Sequence, residues 1–236
     1  MSELRVVALA STVRVARDDD LVTLLLDALH GAGEVLSHHD LLIVTSKVVS
    51  KSEGQVVAFD GTEQHKVALV EQESVRVLRR RGALRITETR HGFINANAGV
   101  DLSNTDEGTA VLLPKDPDRS ARRLRAEIVR RTNVEVAVLI TDTFGRVWRQ
   151  GVTDVALGSA GLRPLLDLRG TLDANGRLLE ATEVAIADEI AGAANLVLHK
   201  AAGTPFALVR GLDESFFGAG SISEHIVRTK NDDLFR

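Results

Sequence analysis

The stretch Val138-Leu-Ile-Thr-Asp-Thr-Phe-Gly-Arg-Val-Trp-Arg-Gln-Gly-Val-Thr-Asp154 concentrates the side chains best suited to chemistry. An apolar, β-branched run breaks at Asp142 and Thr143, and a glycine-punctuated segment then carries Arg146, Trp148, Arg149 and Asp154. The run reads as a buried strand and the segment as the loop at its C-terminal end. That is the usual place for ligands in α/β proteins. Carboxylate and hydroxyl oxygens suit a hard divalent cation, and guanidinium forks match phosphate or carboxylate oxygens. A second gathering, Thr45-Ser-Lys-Val-Val-Ser-Lys51, follows the short apolar run Leu41–Val44. Lysines and hydroxyls just past a strand end can grip an oxyanion, because both donate to it; the same residues also make an ordinary solvated loop. Asp101, Asp142 and Asp154 are the natural metal candidates, although an Asp after a strand also serves as turn former or helix cap. Together these residues point to metal-assisted chemistry on an anionic, phosphorylated substrate.

The elements that must position them alternate between strand and helix patterns, giving an α/β or mixed α+β class with mixed sheets and flanking helices. Val6–Ala10 reads as the first strand. Asp18–Asp20 supplies caps for a helix with Leu21, Leu24, Leu25 and Leu29 at helical spacing. Glu63–Arg81 reads as a helix ended by three arginines and Gly82, ordinary stop signals. Strands are expected at Leu84–Glu88 and Gly108–Pro114, and His91–Asn104 between them is rich in small and amide residues. Pro117–Arg131 forms a helix and Val134–Thr141 the strand entering the opening motif, with parallel neighbours joined by a crossover. A glycine-rich segment follows Asp154, then a hairpin-type turn at Asp173–Gly176. Glu183–Leu198 reads as a helix, Phe206–Val209 as a strand, and the tail from Ser215 as loop. No repeat, low-complexity linker or domain boundary is visible.

Composition narrows the function classes. The 236 residues contain no cysteine, which excludes disulfides, thiolate metal sites and cysteine nucleophiles. A cytoplasmic location fits that usage and the start, which lacks the apolar core of a signal peptide. No uncharged run is long enough to span a bilayer, so no membrane partner is expected. The net charge of −4 argues against a nucleic-acid partner, as does the scarcity of aromatics, with no tyrosine and one tryptophan. That residue, Trp148, reads equally as a loop anchor or a ligand contact. His91 reads better as a packed or solvated histidine than as a general base. A Walker P-loop and a dinucleotide glycine fingerprint are both missing, so any nucleotide is held in another way.

Taken with those two gatherings, Ile86-Thr-Glu-Thr-Arg-His-Gly92, Ala98-Gly-Val-Asp-Leu-Ser-Asn104, Thr153-Asp154, Gly161-Leu162, Thr182-Glu-Val-Ala-Ile-Ala-Asp-Glu189 and Asp233-Leu-Phe235 resemble the coenzyme F420-0:L-glutamate ligase family nearly end to end. The resemblance implies one gamma-glutamyl ligase-like domain over 1–236 without the appended nitroreductase domain of two-domain members. It implies a GTP-dependent amide ligase that joins L-glutamate to coenzyme F420-0 through an acyl phosphate and can extend a γ-glutamyl tail. It also implies a homodimer with sites near the subunit interface. By the same analogy, Asp101 and Asp142 hold one Mg²⁺ or Mn²⁺ and Thr143 helps hold a second, with K⁺ a further candidate cofactor. Ser46, Lys51 and Asn104 contact GTP, as does the loop Leu198–Pro205 with Lys200 and Gly203. The chemistry agrees: a carboxylate must be activated before an amine attacks it, and cations neutralise the transferring phosphoryl group. The chain departs from the family's Gly-Leu-Pro-Glu, with Ser11-Thr-Val-Arg14 at that place, and carries His199 and Gln150 where glycine and asparagine are common. These departures leave open a paralogue with another acid substrate. A metal-dependent phosphohydrolase and a non-catalytic nucleotide or deazaflavin binder are the alternatives.

Overall fold

The computed structural model describes residues 3–103, 105–198 and 203–233. Along the chain run β1 (Arg5–Leu9), α1 (Leu21–Gly31), β2 (Leu41–Thr45), α2 (Ser46–Ser52), β3 (Val56–Ala58), α3 (Glu63–Gln72), β4 (Ser74–Arg81), β5 (Leu84–Thr89) and β6 (Ile94–Ala96). They continue as β7 (Thr109–Val111), α4 (Pro117–Thr132), β8 (Ala137–Gly145), β9 (Val152–Ala160), β10 (Leu166–Asp167), β11 (Glu183–Val184), α5 (Ile186–Asn195), β12 (Phe206–Arg210) and α6 (Ile222–His225). A five-stranded mixed sheet in the order β1-β12-β2-β8-β9 forms the centre. Only β2 and β8 pair in parallel there. Smaller sheets, β3-β7 and β4-β5-β6, arise from the long connection between those two strands. Among the described residues, no helix is long and apolar enough to cross a membrane.

The apolar runs dictate this centre. Leu41–Val44, Ala137–Ile140 and Phe206–Val209 are almost fully buried, as unbroken hydrophobic strands covered on both faces must be. α1 begins where Asp20 accepts from the backbone N–H groups of Val22 and Thr23, satisfying donors the helix leaves open. α4 begins with the Asp116 cap and Pro117 and lies against β8 and β9, while α5 packs on β9 and β1. Gly158 permits the α4 contact, since a Cβ there would lie 2.2 Å from the Pro117 carbonyl carbon. The buried Asp118 carboxylate then accepts from the backbone of Ser159, Ile222 and Ser223 at 2.9–3.0 Å. That staple fixes α6 within the tail, which sequence patterning reads as loop. At the other end, Arg210 grips the buried Asp40 with two bonds of 2.7 Å.

Four expectations change. The helix expected over Glu63–Arg81 stops at Gln72, and Ser74–Arg81 is strand β4, paired antiparallel with β5. β-branched Val75 and Val77 favour strand. Gly82, taken as a helix stop, is a turn glycine at φ +56° between the paired Arg81 and Leu84. The segment after Thr45 is helix α2, which buries Val49. The opening motif is a hairpin: β8 continues through Asp142 to Gly145 and β9 returns from Val152. The crossover is also longer than expected, because β7 pairs with β3 and not with β8.

Candidate active site

One cleft of about 440 Å³ opens where β2, β8 and β9 meet the segments before α1, before β7 and before β12. It brings together Ser46, Lys51, Asp101, Asp142, Thr143 and Gly203, all singled out from sequence. Asp154, Ser11 and Arg14 line it as well. Asn104 and Lys200 lie outside the described residues. His91 does not line the cleft: its Nε2 lies 2.9 Å from the Pro114 carbonyl and its ring stacks on Phe93. Burial, reinforced by the Arg90 charge, lowers its pKa, which favours the neutral, packed histidine over a proton carrier. Trp148 is 92 % exposed at the hairpin tip, with φ +62°, away from the cleft lining.

The β8–β9 ladder sets the acidic side. Its register shifts after Ile140, so that Ile140 pairs with Gly158 but Thr141 with Ala156. Such bulges re-aim side chains beside functional sites. Asp154 then stands opposite Thr143, whose hydroxyl donates to it at 2.7 Å, and the Thr141 hydroxyl lies 3.4 Å from its other oxygen. Asp142, between the two threonines, accepts from the Thr143 backbone and the Ser46 hydroxyl. Burial and the charges of Asp154 and Asp101 outweigh those bonds and push the Asp142 carboxyl up to about 7.

Asp101 arrives from the lobe of small sheets. Asn97 and Ala98 both have φ +53° in the tight turn before it, an uncommon geometry outside glycine. Gly99 follows at φ +69°, where a Cβ would lie 2.7 Å from Leu113. Asp101 Oδ1 accepts from the Ser103 backbone and hydroxyl, both at 2.7 Å. Its Oδ2 lies 2.6 Å from Lys47 Nζ. Burial alone raises the Asp101 pKa, but the Lys47 ammonium and the Ser103 donors more than offset it, and the net shift is downward.

Cations face these acids. Lys51 lies one helical turn beyond Lys47 on α2 and lines the same cleft. Arg14 reaches the mouth, 2.8 Å from Asp106 in an exposed pair. Gly203, at φ +64°, accepts from the Ser11 backbone at 2.9 Å, and the Pro205 carbonyl accepts from Thr45 at 3.0 Å. The Gly203–Pro205 segment is thereby tied to Ser11 on one side and to the end of β2, where α2 begins, on the other. Sequence reasoning did not single out Lys47 as the partner of Asp101, although it belongs to the Thr45–Lys51 motif. Nor did it single out Asn95 and Asn195, which also line the cleft, whereas Thr204 in the lining belongs to the Leu198–Pro205 loop already noted.

The oxygen-rich set Asp101, Asp142, Asp154, Thr141 and Thr143 fits a hard cation, and burial together with the neighbouring Asp154 and Asp101 charges raises the Asp142 pKa. Among the described residues, no three His, Asp or Glu side chains form a cage by themselves. Magnesium does not need one, because it keeps waters and takes phosphate oxygens beside one or two carboxylates.

The chain is also similar to known proteins over most of its length. A family model described as F420-0:Gamma-glutamyl ligase matches residues 11–211. The coenzyme F420:L-glutamate ligase of Methanothermobacter thermautotrophicus is 37 % identical over 238 residues, covering 94 % of each chain. Its counterpart from Methanopyrus kandleri is 38 % identical over 242 residues, again covering 94 % of each. That of Methanocaldococcus jannaschii is 37 % identical over 213 residues and 84 % of each.

Proposed function

The chain belongs to the F420-0:gamma-glutamyl ligase family, and from that premise we propose that it uses GTP to join L-glutamate to the carboxylate of coenzyme F420-0. The single observation that carries the reading is the cleft itself, which gathers three aspartates and two threonines against Lys47 and Lys51. A carboxylate is a poor electrophile. Transfer of the γ-phosphoryl group of GTP to it gives an acyl phosphate and GDP; attack by the glutamate amine then forms the amide and releases phosphate. Asp101 and Asp142 would hold one Mg²⁺ or Mn²⁺, with Thr143 and Asp154 beside a second. Bound there, the ions would neutralise charge developing on the phosphoryl group.

The chain's own groups take the remaining tasks. Lys51, with no acidic partner among the described residues, supplies a free ammonium for phosphate oxygens. Ser46 orients the Asp142 carboxylate. The Gly203–Pro205 segment brings backbone close to the nucleotide, a glycine at φ +64° being easily accommodated there. Attack by an amine needs no protein nucleophile, in keeping with a chain without cysteine. The homodimer belongs to the same reading and is tested by sedimentation.

Mass spectrometry of coenzyme F420-0 incubated with the protein, GTP, L-glutamate and Mn²⁺ tests the proposal. A product heavier by one or more glutamyl residues is expected. Phosphate release without that product would identify a phosphohydrolase, and absence of both would identify a binder.

A further inference from the structure

We propose that Lys47 is a built-in stand-in for the divalent cation: its ammonium holds Asp101 until a metal ion displaces it, and the freed ammonium then serves as an anion contact. The inference rests on the reading of Asp101 as a metal ligand. The two oxygens of Asp101 are divided between different partners. Oδ1 is fixed by the Ser103 backbone and hydroxyl, both at 2.7 Å. Oδ2 meets Lys47 Nζ at 2.6 Å. The carboxylate is therefore already oriented by the Ser103 side, and the ammonium occupies the oxygen left for a cation. A magnesium ion at about 2.1 Å from that oxygen and an ammonium at 2.6 Å cannot share one face of it.

Among the described residues, Asp101 is the only acid paired with Lys47. Its other contacts are uncharged, the Ser103 carbonyl at 2.7 Å and the Ser103 hydroxyl at 3.4 Å. A lysine head is a compact charge on a flexible stem, so it can leave without moving α2. Lys47 and Lys51 are four residues apart on that helix and share a face. Released from Asp101, Lys47 therefore joins Lys51 in the same cleft and gives an anionic ligand two ammonium groups. Metal entry and anion binding would then be coupled through one side chain, with the metal freeing the charge that the anion uses. The simpler alternative is a fixed tie between α2 and the loop of Asp101, which a metal leaves in place.

The test uses the full chain, stripped of metal, with and without Mn²⁺ alone. Amine acylation at Lys47 is read by peptide mass spectrometry against the exposed Lys115, and Mn²⁺ binding is followed in the same samples by electron paramagnetic resonance. Acylation of Lys47 should rise several-fold when Mn²⁺ binds, with Lys115 unchanged. The variant Lys47→Gln should bind Mn²⁺ about tenfold more tightly, within the usual range of coupling between two ligands. Bound Mn²⁺ with Lys47 acylation unchanged or lowered, or a Lys47→Gln protein that binds it no more tightly, would overturn the proposal. If neither wild type nor variant bound Mn²⁺, the metal-ligand reading of Asp101 itself would fall.

Discussion

Replacing Asp142 by Asn should stabilise the metal-free protein while removing its metal-dependent turnover. The carboxyl stands at about 7 against an ordinary 3.8, because burial and the charges of Asp154 and Asp101 oppose its ionisation. An acid whose folded pKa is raised binds its proton more tightly folded than unfolded. It therefore imposes no penalty below 3.8; the penalty grows as pH rises from there to 7, and it is fully present above 7. A displacement of about three pKa units sets a ceiling of about 4 kcal/mol. The carboxylate keeps some solvent contact, so about 2 kcal/mol is the working figure. Asn retains the acceptor oxygen for Ser46 and the Thr143 backbone and carries no charge. In a chain of this size 2 kcal/mol corresponds to about 4–8 °C in Tm. Thermal melts in chelator should show Asp142→Asn above wild type by that margin at pH 8, with the gap narrowing below pH 7 and closing near pH 4. Added Mn²⁺ should raise wild type and leave the variant unchanged. A variant that melts below wild type at pH 8 in chelator would refute the argument from crowded charge.

Other perturbations follow from the same contacts. Lys51→Ala should weaken GTP at least tenfold by calorimetry, as loss of one charge-assisted phosphate contact does, with the ligand-free Tm nearly unchanged; equal affinity would return Lys51 to a solvated helix face. Asp40→Ala leaves the Arg210 guanidinium without its buried acceptor and should cost about 3 kcal/mol in urea unfolding. Gly158→Ala forces a methyl group into the first turn of α4 and should cost about 3 kcal/mol; a loss below 1 kcal/mol would show that α4 can shift freely. By the family resemblance, Arg14 stands where a carboxylate is usual, so GTP and ATP should differ less than about tenfold in kcat/KM, since a guanidinium cannot accept from the guanine N–H groups. A strong GTP preference would contradict that.

The parts of this fold legible in sequence are those where burial and local chemistry agree. Leu41–Val44, Val138–Ile140 and Phe206–Val209 are apolar because both faces of their strands are covered, and Asp20 caps the helix that follows it. β4 was hidden because its exposed arginines resemble the basic last turn of a helix. The β8–β9 hairpin was hidden because the strand continues through polar Thr141, Asp142 and Thr143, whose pattern carries no hydrophobic period. The acidic and basic motifs of the cleft were visible one by one. Their meeting was implied only by the family resemblance, because the Lys47–Asp101 contact spans the small-sheet lobe and the Asp142–Asp154 side depends on a one-residue register shift.

The most direct test of the account is the fate of a heavy-oxygen label placed in the carboxylate of coenzyme F420-0. Phosphoryl transfer to that carboxylate, followed by amine attack, carries a labelled oxygen into the released phosphate, in step with the amide formed. The account predicts labelled phosphate in equal amount to the glutamylated product, dependent on GTP, glutamate and Mn²⁺ together. Unlabelled phosphate, with its new oxygen drawn from water and no amide formed, would contradict it.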